Sequence, residues 1–258
     1  MIAKSLDISG PFNIQFLSKD NNIKVIECNL RASRSFPFVS KCFGVNFIEL
    51  ATLIMLDLPF QKPNLTIYDM EYVCIKTPMF SFSRLPNTDS ILGVEMNSTG
   101  EVATFSDNIK DAYINSMVAS GFKIPKQNIL VIIESNTILY ELQKDIEKLI
   151  KNKFTIYTNQ TTHQLLENIN ITSNVIQDTD LYSQLRNNKI ELIINIPYNE
   201  DNRLQHFKLR RTAIENNISI MTNIKTIKLL ISSINNYNGI TNNVHSWDYF
   251  ISQKNRYL

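Results

Sequence analysis

The sequence predicts an α/β protein in two parts: mainly antiparallel strands first, then a parallel sheet covered by helices. Two observations support this interpretation. Five of the six glycines precede residue 125, and extended stretches joined by loops dominate the same region. From about residue 126, short apolar runs alternate with segments of helical periodicity, a pattern typical of βαβ units. We therefore place a domain boundary near Pro125, between residues 1–125 and 126–258.

The first part contains a predicted β-hairpin and a predicted helix. Residues 11–17 and 23–28 are rich in apolar and aromatic side chains, and the segment Lys19-Asp-Asn-Asn between them is a turn signal. Residues 47–55 predict a helix because apolar side chains recur there at helical spacing. These side chains are Phe47, Leu50, Ala51 and Ile54.

The second part predicts five strands alternating with five helices. Its first strand, residues 128–133, is an apolar run suited to a strand buried on both faces. The helix that follows, residues 137–151, carries isoleucine and leucine on one face. A C-terminal helix around Trp247 is expected to dock on the sheet. The other strands are expected at 154–157, 174–176, 191–196 and 218–221, and the other helices at 162–168, 181–188, 210–216 and 223–234.

Composition limits the classes of function. The chain has 258 residues, of which 43% are hydrophobic and 19% charged, and a net charge of +2. This is enough apolar material for a core, which excludes disorder of the whole chain. The basic excess is too small for a dedicated nucleic-acid or polybasic membrane binder. No stretch reaches 18 consecutive apolar residues, and the N-terminus has no signal-peptide pattern.

Three cysteines, Cys28, Cys42 and Cys74, bear on the compartment. Their number is odd and no pair has CxxC spacing, so we expect small buried side chains rather than a disulfide framework or a zinc site. Together with the absence of a signal pattern, this favours a cytoplasmic protein with neither a nucleic-acid nor a membrane partner.

The densest polar group lies in the predicted hairpin and just after it. Glu27 and Asn29 are two residues apart on one strand, so their side chains share a face, and Gln15 can join them from the other strand. Carboxylate and amide oxygens suit Mg²⁺ held jointly with substrate phosphates. Arg31 and Arg34 follow and could clamp phosphate oxygens, as phosphoryl transfer requires. By spacing alone, a solvated strand face is the commoner explanation, and the chain has no glycine-rich phosphate loop.

Several stretches resemble the second ATP-grasp unit of the large chain of carbamoyl-phosphate synthetase. They read GPFNIQF at residues 10–16, IKVIECNLRASRSFPFVSK at 23–41, FSFSRL at 80–85 and LGVEMNSTGEV at 92–102. The segment GFKIPK at 121–126 is similar to the family's junction with its C-terminal regulatory domain. The resemblance covers essentially the whole chain and is most specific up to about residue 130.

The resemblance implies roles for five residues. Gln15, Glu27 and Asn29 match metal-ligand positions, with Gln15 and Glu27 also at ATP-binding positions, and Arg31 and Arg34 match catalytic positions near the phosphates. The implied activity is phosphorylation of carbamate by ATP with Mg²⁺ or Mn²⁺, giving carbamoyl phosphate. The implied partners are the remainder of the synthetase chain and a glutaminase domain or subunit. Because the segments that hold adenine would precede the hairpin, we expect a C-terminal fragment that is inactive alone.

Residues from about 126 onward resemble the methylglyoxal-synthase-like regulatory domain of the same family, a Rossmann-like α/β sandwich. Asn159, Thr162 and Asn195 match its effector-contact positions. In the family the effector is a nucleotide, phosphoribosyl pyrophosphate or N-acetylglutamate. Asp178 replaces the tryptophan of the acetylglutamate-binding type, and Tyr198 an asparagine. These departures disfavour acetylglutamate and favour a nucleotide or phosphoribosyl pyrophosphate as effector, or no effector.

Several alternatives stay open at this point. Thr161 and Thr162 could cap a helix instead of binding an effector. Arg210 and Arg211 could meet a phosphate or form the charged first turn of a helix. The whole chain could be a non-catalytic effector-binding module, although such a module has no use for the five phosphate-site residues. A methylglyoxal-synthase-type lyase is disfavoured because no glycine lies between residues 122 and 238.

Overall fold

The computed structural model describes residues 2–64, 70–93, 95–234, 237 and 244–252 and divides into two compact units. The first unit joins residues 1–74 to residues 245–258, and the second comprises residues 75–244. These units do not follow the predicted boundary near Pro125, because residues 75–125 pack with the parallel sheet. That boundary was drawn from sequence pattern and family resemblance, and it stays a prediction.

The first unit contains the predicted hairpin. Strands β1 (Asn13–Lys19) and β2 (Asn22–Asn29) pair antiparallel and are joined by the two-residue turn Asp20-Asn21. Both turn residues have positive φ, 50° and 62°, as tight hairpin turns require. Asparagine and aspartate tolerate this conformation better than other residues with a side chain. The turn residues therefore explain why the hairpin forms here.

Helix α1 (Ile2–Ser5) precedes this hairpin in the sequence. Helices α2 (Ser35–Phe43) and α3 (Phe47–Met55) follow it. Helix α3 has the predicted bounds. Helix α2 was not predicted, because its third residue is Pro37, which normally signals a break. Proline is tolerated there because the first-turn N–H groups have no intrahelical partner. The helix ends at Gly44, whose φ of 63° is a common helix terminus.

The last described helix, α11 (Trp247–Ser252), belongs to the first unit. Trp247 Nε1 donates a hydrogen bond to the carbonyl of Lys41 at 3.0 Å. The ring of Phe250 lies 5.9 Å from that of Tyr72 in an edge-on arrangement. The prediction that this helix docks on the parallel sheet was wrong. Aromatic residues in the tail indicate that a helix is packed, but they do not identify the surface against which it packs.

Among the described residues, no single helix is long and apolar enough to span a membrane. Helices α2 and α3 meet the same criteria of length and composition only when taken as a pair, and they are bent by 109° relative to each other.

The second unit is built on a five-stranded parallel sheet. Its strands are β5 (Asn128–Ile132), β6 (Thr155–Thr158), β7 (Asn174–Val175), β8 (Leu192–Asn195) and β9 (Ser219–Met221). Their order in the sheet is β7-β6-β5-β8-β9. The first strand of this sheet along the chain, β5, therefore lies at its centre, and the chain builds outward on one side before returning to the other. The loops that follow β5 and β8 diverge there, which is where ligands bind in open α/β sheets.

Helices cover both faces of this sheet, which confirms the predicted parallel α/β sandwich. Alternate residues of β5 divide between two buried clusters. Ile129 and Val131 pack with residues of α5 (Asn136–Lys151) and α10 (Ile224–Ile234). Leu130 and Ile132 pack with residues of α7 (Asp178–Arg186) and α9 (Phe207–Glu215). A two-stranded sheet of β3 (Val73–Met79) and β4 (Gly100–Ser106) precedes the parallel sheet. The helices are α4 (Ile109–Ala119), α5 (Asn136–Lys151), α6 (Gln160–Glu167), α7 (Asp178–Arg186), α8 (Glu200–Gln205), α9 (Phe207–Glu215) and α10 (Ile224–Ile234).

Candidate functional site

The hairpin brings together the three predicted metal ligands. Gln15 on β1 lies directly opposite Glu27 on β2, and Asn29 follows two residues later on the same strand. Asn29 Nδ2 donates a hydrogen bond to Glu27 Oε1 at 2.9 Å. The three side chains therefore share one face of the hairpin, as the sequence predicts. Their role as ligands stays a prediction.

A β-bulge interrupts the regular pairing of the hairpin next to Gln15. The register of the strands shifts between Gln15 and Phe16, so Phe16 lies opposite Val25 rather than Ile26, which unbroken pairing would place there. Because side chains alternate along β1, Phe16 and Val25 lie on the other face from Gln15 and Glu27. The bulge thus places Val25 on the face opposite to Gln15 and Glu27.

The oxygens on this face fit a divalent cation that is shared with phosphate groups. They comprise one carboxylate and two amide oxygens, all hard donors, and the side chains of Gln15 and Glu27 are exposed. Mg²⁺ favours such partial protein ligation because it keeps several waters or phosphate oxygens in its octahedral shell. No group of three or more His, Cys, Asp or Glu side chains could hold a metal ion within the residues that the structure describes.

The two predicted phosphate-binding arginines lie in the segment between β2 and α2. Arg31 Nη1 lies 3.4 Å from the carbonyl oxygen of the neighbouring Ala32, and Arg31 is exposed. Arg34 immediately precedes α2 and is also exposed. Both arginines therefore come soon after Glu27 and Asn29 in the sequence, and both are accessible from solvent.

A second polar cluster lies at the carboxyl ends of β5, β6 and β8, and we call it the strand-end crevice. Its centre is Glu134, which follows β5. Glu134 Oε1 accepts a hydrogen bond from Asn159 Nδ2, and Oε2 accepts one from Asn202 Nδ2, both at 2.8 Å. His206 Nε2 lies 3.5 Å from Glu134 Oε1. Glu134 and Asn202 were not singled out from the sequence, since neither belongs to a recognisable motif.

The predicted effector residues are held inside this cluster. Thr162 is fully buried, and its Oγ1 lies 3.1 Å from the Ile133 N–H and 3.4 Å from the Ile133 carbonyl. The helix-capping role considered for Thr161 or Thr162 belongs instead to Asn159, whose Oδ1 accepts from the Thr162 N–H at 3.0 Å. Both side chains thus position α6 against β5.

Asn195 at the end of β8 is also fully buried. Its Nδ2 donates to the carbonyl of Ile132 at 3.0 Å and lies 3.3 Å from His206 Nδ1, and its Oδ1 accepts from Arg210 Nη1 at 2.9 Å. Since Asn195 donates to His206 Nδ1, the imidazole proton is assigned to Nε2, which faces Glu134. Burial lowers the pKa of His206, and the nearby charge of Glu134 opposes this only in part.

Arg210 links this cluster to a preceding segment of the second unit. It lies inside α9, fully buried, and its Nε and Nη2 each donate to one oxygen of Asp89 at 2.7 Å. Burial raises the pKa of Asp89, but the hydrogen bonds and charge of Arg210 outweigh it and hold that pKa below its usual value. Arg211 donates to the carbonyls of Phe82 and Leu85. Helix α9 begins at Phe207, so neither arginine lies in its first turn.

Comparison with known proteins agrees with this architecture. Residues 141–222 match the family model of the MGS-like domain and lie within the second unit. Over 252 residues the chain is 43% identical to Multifunctional protein URA2 of Saccharomyces cerevisiae, covering 90% of this chain and 11% of that protein. It is 40% identical over 250 residues to the mitochondrial carbamoyl-phosphate synthase [ammonia] of Rattus norvegicus, covering 90% of this chain and 16% of that protein.

This chain is related to carbamoyl-phosphate synthetases. The resemblance predicted from the sequence is thereby confirmed. A third relative is Multifunctional protein ura1 of Schizosaccharomyces pombe, 42% identical over 248 residues, which covers 90% of this chain and 11% of that protein. The chain spans about a tenth of the length of the first curated relatives that it matches.

Proposed function

We propose that this chain supplies the carboxyl-terminal part of a glutamine-hydrolysing carbamoyl-phosphate synthetase of the pyrimidine-pathway type, acting in the cytoplasm. The observation that carries the proposal is the convergence of Gln15, Glu27 and Asn29 on one face of the hairpin. Two exposed arginines, Arg31 and Arg34, follow these residues in the sequence. Over nine-tenths of its own length, this chain is 40% identical to a carbamoyl-phosphate synthase.

The proposed reaction transfers the γ-phosphoryl group of ATP to carbamate. A carbamate oxygen attacks the γ-phosphorus, the bond to the β–γ bridging oxygen breaks, and carbamoyl phosphate and ADP result. A bound Mg²⁺ or Mn²⁺ neutralises negative charge on the phosphate oxygens. Gln15, Glu27 and Asn29 would hold that ion by their oxygens, and Asn29 holds the Glu27 carboxylate in place through its amide.

The arginines contribute charge and geometry to the same step. Each guanidinium group offers parallel N–H donors that match two phosphate oxygens, a geometry that lysine lacks. Arg31 and Arg34 would stabilise the charge of the phosphoryl group during its transfer. Adenine binding and closure over the phosphates need the remainder of the synthetase chain, and ammonia needs a glutaminase domain or subunit. The chain alone is therefore proposed to be inactive.

The second unit is proposed to bind a regulatory effector, a nucleotide or phosphoribosyl pyrophosphate, in the strand-end crevice. Its position at the carboxyl ends of parallel strands supports this, because backbone N–H groups and loops converge there. The helix that begins after Asn159 presents the positive end of its dipole to the same place. The match of residues 141–222 to the MGS-like domain supports the same assignment.

The decisive experiment uses the full-length protein that contains this chain. ATP formation from carbamoyl phosphate and ADP, the reverse of the proposed step, isolates carbamate phosphorylation from the other reactions of the enzyme. We expect Glu27→Gln to reduce this activity at least 100-fold, because it removes the only carboxylate of the ligand set. Lys24→Gln on the same strand should retain it and serves as the control. Full activity of Glu27→Gln would refute the catalytic role and favour a non-catalytic effector-binding module.

A further inference from the structure

We propose that Glu134 is an internal ligand of the strand-end crevice: its carboxylate occupies the place of an anionic effector and sets the affinity of the crevice for phosphate-bearing ligands. This inference rests on the proposed effector role of the second unit. It adds to that role a residue of this chain that limits binding.

The first observation is the way in which Glu134 is held. Each of its two oxygens accepts a hydrogen bond of 2.8 Å from an asparagine amide, one at the start of α6 and one in α8. The Glu134 side chain is 11% exposed. Two amide donors from different elements that converge on one pair of oxygens form the arrangement that would receive a phosphate or carboxylate ligand.

The second observation is an orphan acceptor in the same cluster. Asn202 is 3% exposed, and its Oδ1 is buried without a hydrogen-bond partner in the described part of the chain. Because Asn202 Nδ2 is bound to Glu134, this oxygen lies beside the carboxylate. An unmet acceptor of this kind is costly in a folded protein and points to a missing donor. A ligand that carries a hydroxyl or N–H group next to its anion would supply that donor.

The charges around the cluster determine whether a ligand anion binds beside the Glu134 carboxylate or displaces it. Asp89 pairs with both Arg210 and Arg203, and Arg203 also pairs with Glu200. The arginines of this network are therefore already neutralised by carboxylates. A second anion placed next to Glu134 would meet like charge at low dielectric. A phosphate group must therefore displace the Glu134 carboxylate from the Asn159 and Asn202 amides.

These observations define the ligand as a phosphate monoester with neighbouring hydroxyl or N–H donors, the chemistry shared by nucleotides and sugar phosphates. They also define Glu134 as the competitor that such a ligand must displace. Removing its carboxylate leaves the two amide donors in place and should strengthen binding.

The test is calorimetric titration of the full-length protein with UMP, and with inorganic phosphate as a probe of the anion alone. We expect Glu134→Ala to bind UMP at least tenfold more tightly than the unmodified protein. Alanine is preferred to glutamine because the N–H groups of a glutamine amide would face the N–H groups of the Asn159 and Asn202 amides, donor against donor. Glu141→Ala, which removes an exposed carboxylate of α5 paired with Lys228, should leave the affinity unchanged.

A second variant identifies the amides as the receiving groups. In the Glu134→Ala background, Asn202→Ala should reverse the gain in UMP affinity. Unchanged or weaker UMP binding by folded Glu134→Ala protein, checked by thermal unfolding, would overturn the inference. Saturable UMP binding by the unmodified protein that Glu134→Ala does not strengthen refutes this inference alone, whereas no UMP binding by either folded protein would refute the proposed effector role on which it rests.

Discussion

Arg210 and Asp89 form a bidentate ion pair across 121 residues of sequence, with both nitrogen–oxygen distances at 2.7 Å. Arg210 is fully buried and also donates to Asn195 at the end of β8 and to the carbonyl of Arg203. One side chain thus connects the segment before β4 to the strand-end crevice. Planar, two-point contact of this kind is specific to arginine.

Replacing this arginine should destabilise the second unit. We expect Arg210→Met to lower the free energy of unfolding by about 3 kcal/mol, at the lower end for breaking a buried ion pair, because Arg203 still contacts Asp89. Urea unfolding measures the change. Arg186→Met, at the exposed end of α7, is the matched control and should change stability by less than about 0.5 kcal/mol. Equal stability of both variants would show that the pair is not stabilising.

Stability should decrease when the pH falls below about 6.5, because the pKa of His206 is lowered in the folded state. Burial is the main cause, Arg210 adds to it, and Glu134 and Asp178 oppose it. The unfolded chain then takes up a proton before the folded chain does, which favours unfolding. His206→Gln should flatten the pH dependence of the unfolding midpoint between pH 7.5 and 5.5. An identical slope in the variant would assign the effect to other groups.

Glu191 should stabilise the start of the parallel sheet. Its Oε2 accepts hydrogen bonds from the backbone N–H groups of Lys126, Gln127 and Asn128 at 2.9, 2.6 and 3.0 Å. Burial raises the pKa of Glu191, but these bonds outweigh it and lower that pKa. Glu191→Gln should reduce stability by about 1.5–3 kcal/mol, the range for hydrogen bonds to a charged group.

The control for this prediction is Glu141→Gln, because Glu141 is an exposed carboxylate of the same unit. Chemical denaturation of the two variants under the same conditions separates the loss of backbone hydrogen bonds from the loss of one negative charge. A loss of similar size in both would contradict the anchoring role of Glu191.

The hairpin turn predicts different outcomes for two substitutions at one position. Asn21 has a φ of 62°, which glycine adopts without strain and a β-branched residue does not. Asn21→Gly should preserve the stability of the hairpin, and Asn21→Val should reduce it by about 1–2 kcal/mol. Thermal unfolding of both variants tests this. A neutral valine substitution would mean that the turn changes its conformation at little cost.

The phosphate-site arginines should be sensitive to a conservative change. In the full-length protein, Arg31→Lys and Arg34→Lys keep the positive charge and lose the paired donors, so we expect ATP formation from carbamoyl phosphate to fall about tenfold to 100-fold. Exposed Lys41→Arg, at the end of α2, is a control that should retain activity. Full activity of both lysine variants would exclude bidentate phosphate contact.

Much of the second unit was predictable because its strands are continuous apolar runs. The run at residues 128–133 and the helix after it lie within a residue or two of their predicted bounds. Helix α8 was missed, since its six residues contain a single apolar side chain, Leu204, and no periodicity. Helix α2 was missed because Pro37 in a first turn cannot be told from a helix break without the structure.

From residue spacing alone, the candidate sites were predictable only where residues lie near one another in sequence. Glu27 and Asn29 share a strand, so alternation alone places them on one face. The strand-end crevice combines Glu134, Asn202 and Asp89 from separate loops and helices, and nothing in the sequence links them. The family resemblance assigns Thr162 and Asn195 to effector-contact positions, but it does not reveal that both side chains are fully buried.

The divided first unit has a consequence for synthesis on the ribosome. Its two segments are separated by residues 75–244, and the Trp247 side chain reaches back to the carbonyl of Lys41, 206 residues earlier in the chain. Chains emerge from the N-terminus and domains generally fold as units. The second unit can therefore complete its sheet while the first unit still lacks α11. The first unit, whose larger segment is synthesised before the second unit, is therefore the later of the two units to complete its fold.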